Sequence, residues 1–340
     1  MKEDDIRPAY LLDGQRQALL HDIALLLARA GEFVGTDCPA CGSRDERFKF
    51  EKNGFRYVDC QVCATFYVNP RPSEHLLGDF YRHSRNYAYW AKHIYPASAK
   101  ARHDSVIVPR VERSLELCQR IDLPFGELLE VGAGYGSFCQ EMTARGLWDK
   151  VVGIEPTPAL AKICRQQNFE VVEQRVEEYA AGTARRFDLI VAFEVIEHLF
   201  APQRVIDSLV QLLRPGGALI LTCPNGDGFD VQQLGRDSPC VDHEHLNYFN
   251  TRSLPHLLQR CGLQVLDCFT PGRLDVELVA KGVAARSAES QLDPFLREVL
   301  FTRRAELGET FQDFLARSGM SSHMWVMARK PALEEAARHV

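Results

Sequence analysis

Residues 128–138 read LLEVGAGYGSF, and this stretch decides the fold of the chain. An apolar run with one acidic residue enters glycines at alternate positions and continues into a helical pattern that stops at Gly146, which predicts a strand, a tight turn and a helix. Glycine adopts positive φ angles and has no Cβ, so its backbone approaches a ligand closely. The free N–H groups and the dipole of the helix point back at the turn. The pattern therefore predicts a site for a ligand with an anionic group.

A second apolar run indicates which ligand this is. Residues 151–155 read VVGIE, and Glu155 lies at the separation at which doubly wound α/β folds bind ribose hydroxyls. Ser137 stands where the dinucleotide fingerprint has Gly or Ala, and residues 132–142 contain no Lys or Arg to meet a pyrophosphate. The expected ligand is therefore a nucleoside that carries both a carboxylate and a cation.

These features resemble the class I S-adenosylmethionine (SAM) methyltransferases over about residues 126–270. Further matches follow in order: FDLIVAFE at 187–194, EVIEHL at 194–199 and LRPGG at 213–217. The resemblance implies an α/β, doubly wound, Rossmann-like sheet and SAM as the cofactor. It places the glycines at the methionine end of SAM, one carboxylate beneath them near the amino group, Glu155 at the ribose, and residues 176–177 at the adenine. The cofactor-binding residues so implied are Glu130, Gly132, Gly134, Gly136, Glu155, Val176, Glu177 and Glu194.

Strands alternate with helical segments through this region, which predicts a parallel sheet with helices on both faces. The expected strands are 128–131, 150–155, 170–173, 187–193, 217–223 and 263–269, and the expected helices are 137–145, 158–167, 202–213 and 254–260. In such sheets ligands bind at the carboxyl ends of the strands. By the resemblance, residues 323–329 are an antiparallel last strand. The predicted domains are an N-terminal helix (1–34), a zinc ribbon (35–72), an aromatic-rich helical cap (73–125), the catalytic domain (126–280), a helical insertion (281–322), and the last strand with a tail (323–340).

Two Cys-x-x-Cys pairs lie in the N-terminal part of the chain with eighteen residues between them. Four thiolates at this spacing are typical of a zinc ribbon and leave no open coordination position, so the expected zinc is structural. Alternating apolar residues over 48–58 predict the hairpin that joins the two pairs. An iron centre or redox dithiols are the alternatives, and contact of the ribbon with substrate or a partner stays open. The metal ligands are Cys38, Cys41, Cys60 and Cys63.

The segments that flank the ribbon are helical in pattern. Apolar positions over 13–30 predict a helix for packing or self-association, so a homodimer is one expectation. Six aromatic residues fall within 80–95, where they line an acceptor pocket or brace the ribbon against the catalytic domain. A helix is predicted over 97–121, with its charges on a solvated face. The insertion at 281–322 is either a lid or an oligomer contact.

Methyl transfer to oxygen or carbon needs a group that removes a proton from the acceptor. Residues 242–249 read DHEHLNYF and resemble a segment of zinc-containing deoxysugar C-methyltransferases, which implies Glu244 and His245 as the acceptor-binding and proton-abstracting pair. Asp242 departs from the Tyr of that family, and its Pro-Leu-Ala-Asn signature is missing here. The alternatives are that His245 only docks the next helix, or that His243 binds a metal with its two acidic neighbours.

Glu197 and His198 form the second candidate pair, acting on the acceptor or capping the following helix. Nucleic-acid amino-methyltransferases carry an Asn/Asp-Pro-Pro-aromatic motif at this point of the chain, so its absence argues against base N-methylation. The four candidate catalytic residues are His245, Glu244, His198 and Glu197.

Composition bounds the class of partner. The formal net charge of -6 gives no electrostatic attraction to nucleic acid or to an anionic membrane, and neither a secretion signal nor a spanning segment is predicted. Seven further cysteines fall singly, as expected in a reducing cytoplasm. The predicted function is methyl transfer from SAM to carbon or oxygen of a small molecule, with a nucleotide-linked sugar or a secondary metabolite as the first expectation. The alternatives are a zinc-ribbon RNA methyltransferase, a nicotinamide oxidoreductase and a non-catalytic adapter.

Overall fold

The structure is a computed structural model that describes residues 3–332. Its strands are β1 (Phe33–Val34), β2 (Glu46–Lys52), β3 (Phe55–Cys60), β4 (Phe66–Val68), β5 (Arg71–Pro72), β6 (Glu127–Val131), β7 (Lys150–Ile154), β8 (Glu170–Val172), β9 (Phe187–Phe193), β10 (Leu213–Pro224), β11 (Asn247–Tyr248), β12 (Gln264–Phe269) and β13 (His323–Arg329).

The α-helices are α1 (Glu3–Ile6), α2 (Leu12–Ala28), α3 (Glu74–His83), α4 (Arg85–Tyr89), α5 (Tyr95–Arg102), α6 (Val108–Arg120), α7 (Ser137–Arg145), α8 (Pro158–Cys164), α9 (Val176–Gly182), α10 (Pro202–Leu212), α11 (Phe229–Leu234), α12 (Ser253–Arg260), α13 (Asp275–Ala285), α14 (Pro294–Arg297) and α15 (Arg304–Arg317). Turns of π-helix over Trp90–Ile94 and His103–Ile107 join α4 to α5 and α5 to α6.

Seven strands form the central sheet in the order β12-β13-β10-β9-β6-β7-β8. Strands β10, β9, β6, β7 and β8 run parallel, whereas β13 is antiparallel to both of its neighbours. The chain winds outward from β6 in both directions, so the order reverses beside β6, where doubly wound sheets bind ligands. The predicted α/β, doubly wound sheet and its antiparallel last strand are confirmed.

Element boundaries follow the sequence pattern closely around the glycine turn. Helix α7 and strand β9 have the predicted limits, and Gly146 ends α7 with a φ of 64°. Strand β10 begins at Leu213 instead of 217, because Leu213 pairs with Phe187 before the register shifts ahead of Ala218. Helix α8 ends at Cys164, three residues earlier than predicted, and α13 crosses the predicted start of the insertion at residue 281.

The predicted ribbon hairpin is present as β2 and β3, but the ribbon sheet extends beyond the ribbon. Its strand order is β11-β4-β3-β2, and β11 comes from residues 247–248, directly after the His-Glu-His segment. Tyr248 stacks on Phe66 with ring centroids 4.0 Å apart. A strand from the candidate catalytic region thereby closes the edge of the ribbon sheet.

Helices cover both faces of the central sheet, as the alternating pattern predicts. One core joins the sheet to helices α9, α10 and α12 and also includes buried ribbon residues such as Cys60 and Tyr67. The second core lies under α6 and α7. Helix α2 buries Ile23 and Leu26 against the ribbon, so this helix has the predicted packing role. Among residues 3–332, no helix is long and apolar enough to cross a membrane, and the predicted tail beyond residue 332 lies outside the described residues.

Candidate active site

The glycine turn between β6 and α7 forms the floor of the predicted SAM site. Gly132, Gly134 and Gly136 all have positive φ angles, of 74°, 57° and 73°. A Cβ on Gly132 would lie 2.7 Å from Cγ2 of Val195, so this position also lacks space for a side chain. The backbone N–H groups of these glycines donate to oxygens of Ile154, Glu155 and Ala133. The donors for a ligand at the carboxyl end of β6 are therefore the N–H groups in the first turn of helix α7.

Two buried carboxylates flank this turn. Glu155, at the end of β7, accepts hydrogen bonds from the backbone N–H groups of Gly134 and Thr157, both at 2.8 Å. Glu130 lies beneath the turn and accepts a hydrogen bond from the Cys139 thiol at 3.0 Å. Burial raises the pKa of Glu130 to about 7, although that hydrogen bond acts in the opposite direction, and burial also raises the pKa of Glu155. The turn thus brings together the carboxylates predicted for the amino group and the ribose.

The helical cap reaches the same turn. Tyr95, the first residue of α5, stacks on Tyr135 with ring centroids 3.5 Å apart and 7° between the planes. Its hydroxyl also lies 2.6 Å from Oγ of Ser137. Farther along the cap, Arg110 lies over the Phe193 ring at 4.5 Å. The charges of this helix were predicted to face solvent, and Arg110 departs from that pattern because its side chain lies over the end of β9.

The remaining predicted cofactor residues lie on either side of the turn. Val176 and Glu177 begin α9, where Val176 is buried in the core and Glu177 pairs with Arg175 at 3.0 Å. Helix α9 itself was not predicted. The adenine role of this pair therefore stays a prediction.

Glu194 follows β9 with a positive φ of 56°, uncommon for a residue with a side chain. Its carboxylate lies 2.6 Å from Nε2 of His323 and accepts a hydrogen bond from Thr222. Burial by itself raises the pKa of Glu194, but the charge and hydrogen bond of His323 and the charge of Arg110 outweigh it, so the pKa is well below its usual range. Sequence reasoning missed the His323 partner, because β13 joins the sheet from far along the chain.

Three of the four predicted catalytic residues converge beyond Glu194. One potential ligand atom from each of Glu197, His198 and His245 lies within 4.8 Å of the others. The two imidazole rings meet edge to face with centroids 4.7 Å apart. Burial, and then electrostatic repulsion by the neighbouring His245 ring, lowers the pKa of His198 to about 3. The histidine is therefore neutral at physiological pH, as a proton acceptor or metal ligand must be.

The fourth residue, Glu244, points to a different environment. Its carboxylate accepts a hydrogen bond from Asn86 of the cap at 2.7 Å, whereas its backbone carbonyl faces Nδ1 of His198 at 3.1 Å. Burial and then the charge of Asp242 raise the pKa of Glu244 to about 8. Glu244 and His245 are adjacent in sequence, yet only His245 joins the cluster with Glu197 and His198.

His243 and Phe249 are packed in the interior of the protein. The His243 ring is buried between Phe80 and Phe55, and Phe249 lies in the sheet core. Within residues 3–332, the converging His and acidic ligands are Glu197, His198 and His245, not the trio of residues 242–244 considered from the sequence. Among the aromatic residues at 80–95, Phe80 packs in the ribbon core and Tyr95 stacks on Tyr135 of the glycine turn, and the lining of an acceptor pocket stays a prediction.

Arg71, on strand β5 at the end of the ribbon, links the ribbon to the candidate site. The guanidinium of Arg71 is buried and donates to the carbonyl oxygens of Val68, Phe200 and Leu246 and to Oδ1 of Asn247. Asn247 in turn donates to the carbonyls of residues 196, 197 and 199. The short helical turn that carries Glu197 and His198 is thus tied to β11 and to the ribbon.

The four ribbon cysteines gather as their spacing predicts. Their sulfur atoms lie within 4.8 Å of one another, with 3.5 Å separating Sγ of Cys38 from Cys63 and Sγ of Cys41 from Cys60. All four are free thiols. The arrangement matches a tetrahedral four-thiolate site.

Comparisons with known proteins agree with this architecture. The methyltransferase domain family model matches residues 85–267, more than half of the chain. The ubiquinone biosynthesis O-methyltransferase of Xanthomonas euvesicatoria pv. vesicatoria (strain 85-10) is 28% identical over 161 residues, which cover 44% of this chain and 66% of that protein. The same enzyme of Xanthomonas oryzae pv. oryzae (strain PXO99A) has the same identity and coverage. The chain thus spans slightly less than two thirds of the length of these curated relatives.

Two solved structures resemble parts of this chain at low sequence identity. An S-adenosylmethionine-dependent methyltransferase from Clostridium acetobutylicum ATCC 824 has a TM-score of 0.47 at 12% identity, covering 72% of this chain and 99% of its own. A SAM-dependent methyltransferase from Archaeoglobus fulgidus has a TM-score of 0.43 at 15% identity, covering 65% and 94%. The predicted class I SAM-dependent methyltransferase resemblance is confirmed, and the chain belongs to the methyltransferase domain family.

Proposed function

We propose that the protein transfers the methyl group of SAM to an oxygen or carbon atom of a small molecule, with a hydroxyl oxygen as the first expectation. The observation that carries this proposal is the convergence of Glu197, His198 and His245 at the carboxyl edge of the sheet, beyond the glycine turn. Methyl transfer from a sulfonium needs positioning of the acceptor and loss of its proton. The neutral imidazole of His198, beside His245 and Glu197, meets the second requirement.

The choice of oxygen rests on the relatives, whose names describe O-methyltransferases of ubiquinone biosynthesis. The His-Glu-His segment supports a nucleotide-linked sugar as the competing acceptor class, because it resembles that of sugar C-methyltransferases. In both cases the acceptor lies between the cluster and the methyl group. Glu244 then acts as a positioning residue, since its carbonyl holds His198 and its carboxylate is anchored to Asn86.

We propose that Glu155 binds the ribose hydroxyls of SAM and that Glu130 lies near its amino group. Carboxylate oxygens accept several hydrogen bonds each, so Glu155 has capacity beyond its two backbone donors. The buried Glu130 gains a counter-charge if the ammonium group of SAM binds above it. The first turn of helix α7 supplies the backbone donors for the SAM carboxylate.

We propose that the four ribbon cysteines bind a structural zinc ion, since four thiolates complete a tetrahedron. The zinc ion is expected to fix the position of His245, because β11 follows His245 closely in the chain and pairs with the ribbon sheet. Metal analysis of the purified protein should give at least one zinc per chain. Substitution of Cys41 by Ser should lower that content, whereas Cys261→Ser, a partly buried thiol outside the ribbon, should leave it unchanged.

The test of the function is transfer of labelled methyl groups from SAM to three separate pools: hydroxylated aromatic metabolites, nucleotide sugars and bulk RNA. Label in the first pool supports the proposal in full, and label in a sugar supports the small-molecule function with a different acceptor. Label in RNA alone contradicts it. The matched variant is His245→Gln, which should lose at least about tenfold in turnover while its affinity for SAM stays within twofold of the wild type.

A further inference from the structure

Glu197 is an isolated buried carboxylate. Its side chain is 1% exposed, and neither carboxylate oxygen has a hydrogen-bond partner among the described residues. Buried carboxylates are normally paired or bound to a metal, because desolvation of an unpaired charge is costly. The nearest imidazole nitrogen, Nε2 of His198, lies 4.0 Å away, too far for a hydrogen bond.

The two histidines of the cluster share one hydrogen-bonding pattern. Nδ1 of His198 faces the carbonyl oxygen of Glu244 at 3.1 Å, and Nδ1 of His245 faces that of Cys240 at 2.7 Å. A carbonyl oxygen only accepts, so Nδ1 carries the proton in both rings. In this tautomer the lone pair of the ring lies on Nε2. Metal-binding histidines typically show this arrangement, with the second nitrogen donating to a backbone carbonyl or carboxylate.

We propose that Glu197, His198 and His245 form a binding site for a divalent first-row transition-metal ion, separate from the four-cysteine site. Two imidazole nitrogens and one carboxylate favour manganese, iron, cobalt or zinc over magnesium or calcium. Ligand atoms around such an ion lie roughly 3.0–3.5 Å apart at ordinary bond lengths, so the three side chains close in by about 1 Å on binding. Three protein ligands leave coordination positions open.

An open coordination position also gives the ion a chemical role, and this step rests on the proposed function. A hydroxyl oxygen of the acceptor bound there has a lowered pKa and releases its proton to solvent. The oxygen then attacks the methyl carbon as the carbon–sulfur bond breaks, and the sulfonium becomes a neutral thioether. The ion therefore takes over the proton-removing role that a free imidazole would otherwise have.

The test is Mn²⁺ binding to the full-length protein, with the four-cysteine site left occupied. Mn²⁺ is chosen because thiolate sites bind it poorly. Free Mn²⁺ is followed by its electron paramagnetic resonance signal, and one ion per chain is expected to bind. The variants Glu197→Gln and His245→Gln should each weaken binding at least tenfold. The variants Glu178→Gln and His256→Gln, which change exposed side chains outside the cluster, should leave it unchanged.

A second measurement does not depend on the folding of variants. Wild-type protein with ¹⁵N-labelled histidine, loaded with Mn²⁺, should show coupling of the electron spin to histidine nitrogen. The proposal is overturned if the wild type binds no Mn²⁺, if no nitrogen coupling appears, or if both folded ligand variants bind normally. Binding of Mn²⁺ without methyl transfer to any pool would contradict the proposed function alone. Full turnover of the chelator-treated enzyme would contradict only the catalytic role of the ion.

Discussion

At the scale of single residues, Gly132 is subject to two separate constraints. Its φ of 74° costs a residue with a side chain about 1–2 kcal/mol, and a Cβ would also meet Val195 at 2.7 Å. We therefore expect Gly132→Ala to lower the free energy of unfolding by about 2–4 kcal/mol, because overpacking adds to the backbone strain. Thermal or denaturant unfolding measures this loss.

The control for this prediction is Gly146→Ala. Gly146 also has a positive φ, of 64°, but no atom lies within 4 Å of its missing Cβ. This variant should therefore show the backbone cost alone. Adding Val195→Ala should recover part of the stability of Gly132→Ala. Equal losses in the two glycine variants would show that Val195 moves aside without cost.

Glu155 tests the assignment of the SAM site. Substitution by Gln keeps its shape but removes the charge that strengthens hydrogen bonds to ribose hydroxyls. A charge-assisted bond contributes about 1.5–3 kcal/mol, so SAM affinity should fall about tenfold to a hundredfold. Calorimetric titration measures the change, and Glu178→Gln, which changes an exposed carboxylate on helix α9, is the control. Unchanged affinity in Glu155→Gln would remove this residue from the site.

Glu130 predicts a pH dependence of stability for the ligand-free protein. Its pKa is raised by burial to about 7, above the ordinary value of a carboxyl group, so the unfolded chain loses this proton first. The contribution of Glu130 is fully present below about pH 4.5 and is lost as the pH rises through 7, a change on the order of 3 kcal/mol. Denaturant unfolding of Glu130→Gln, relative to the wild type, should remove this component. Parallel pH profiles of the two proteins would contradict the prediction.

At the scale of elements, strand β11 links the ribbon to the candidate active site. Asn247 donates to the carbonyls of residues 196, 197 and 199. The substitution Asn247→Asp removes this donor and keeps the shape of the side chain. We expect turnover to fall at least tenfold, because small misplacements of catalytic groups are costly, while SAM affinity stays within twofold. Hydrogen exchange should increase at residues 196–199.

The matched control is Asn250→Asp. Asn250 is also buried and donates to the carbonyls of residues 63 and 64, but it holds the ribbon to helix α12 instead of the short turn with Glu197. Both variants should lose stability, and only Asn247→Asp should lose turnover in excess of that loss. Equal effects on turnover would show that the ribbon acts on the site only through overall stability.

The elements also show how far the sequence predicts this molecule. The turn at 132–136 and its flanking strand and helix were predictable because their signals are local: alternating glycines, an apolar strand and a glycine stop. Strand β11 was not, since it has two residues and its pairing depends on the distant β4. The partners of Glu194 and Glu244 were missed for the same reason, because His323 and Asn86 lie more than a hundred residues away in sequence. Convergence of separate loops leaves no periodic signal.

At the scale of the whole molecule, one face of the ribbon is part of the hydrophobic core of the catalytic sheet. Buried Cys60 and Tyr67 belong to the same cluster as strands β6, β9 and β10, although the other face of the ribbon packs in a second cluster with helices α2 and α3. We therefore expect release of the proposed zinc ion and unfolding of the sheet to occur in one cooperative transition. The sheet is followed by the fluorescence of Trp325 on β13, in a variant with Trp90 and Trp148 replaced by Phe, and zinc release by a chromogenic chelator.

The midpoints of the two signals should agree within about 2 °C. The substitution Cys41→Ser should also shift the Trp325 transition to lower temperature, although Trp325 lies far from the ribbon in sequence. A structural zinc stabilises whatever its ligands fold with, so its loss removes free energy from the entire cooperative unit. Cys261→Ser, which changes a thiol outside the four-cysteine site, should cause a much smaller shift. Zinc release well below the Trp325 transition would show that the ribbon unfolds independently. In that case β11 would have to detach from β4 before the catalytic sheet unfolds. The ribbon would then affect the active site only through the pairing of these two strands.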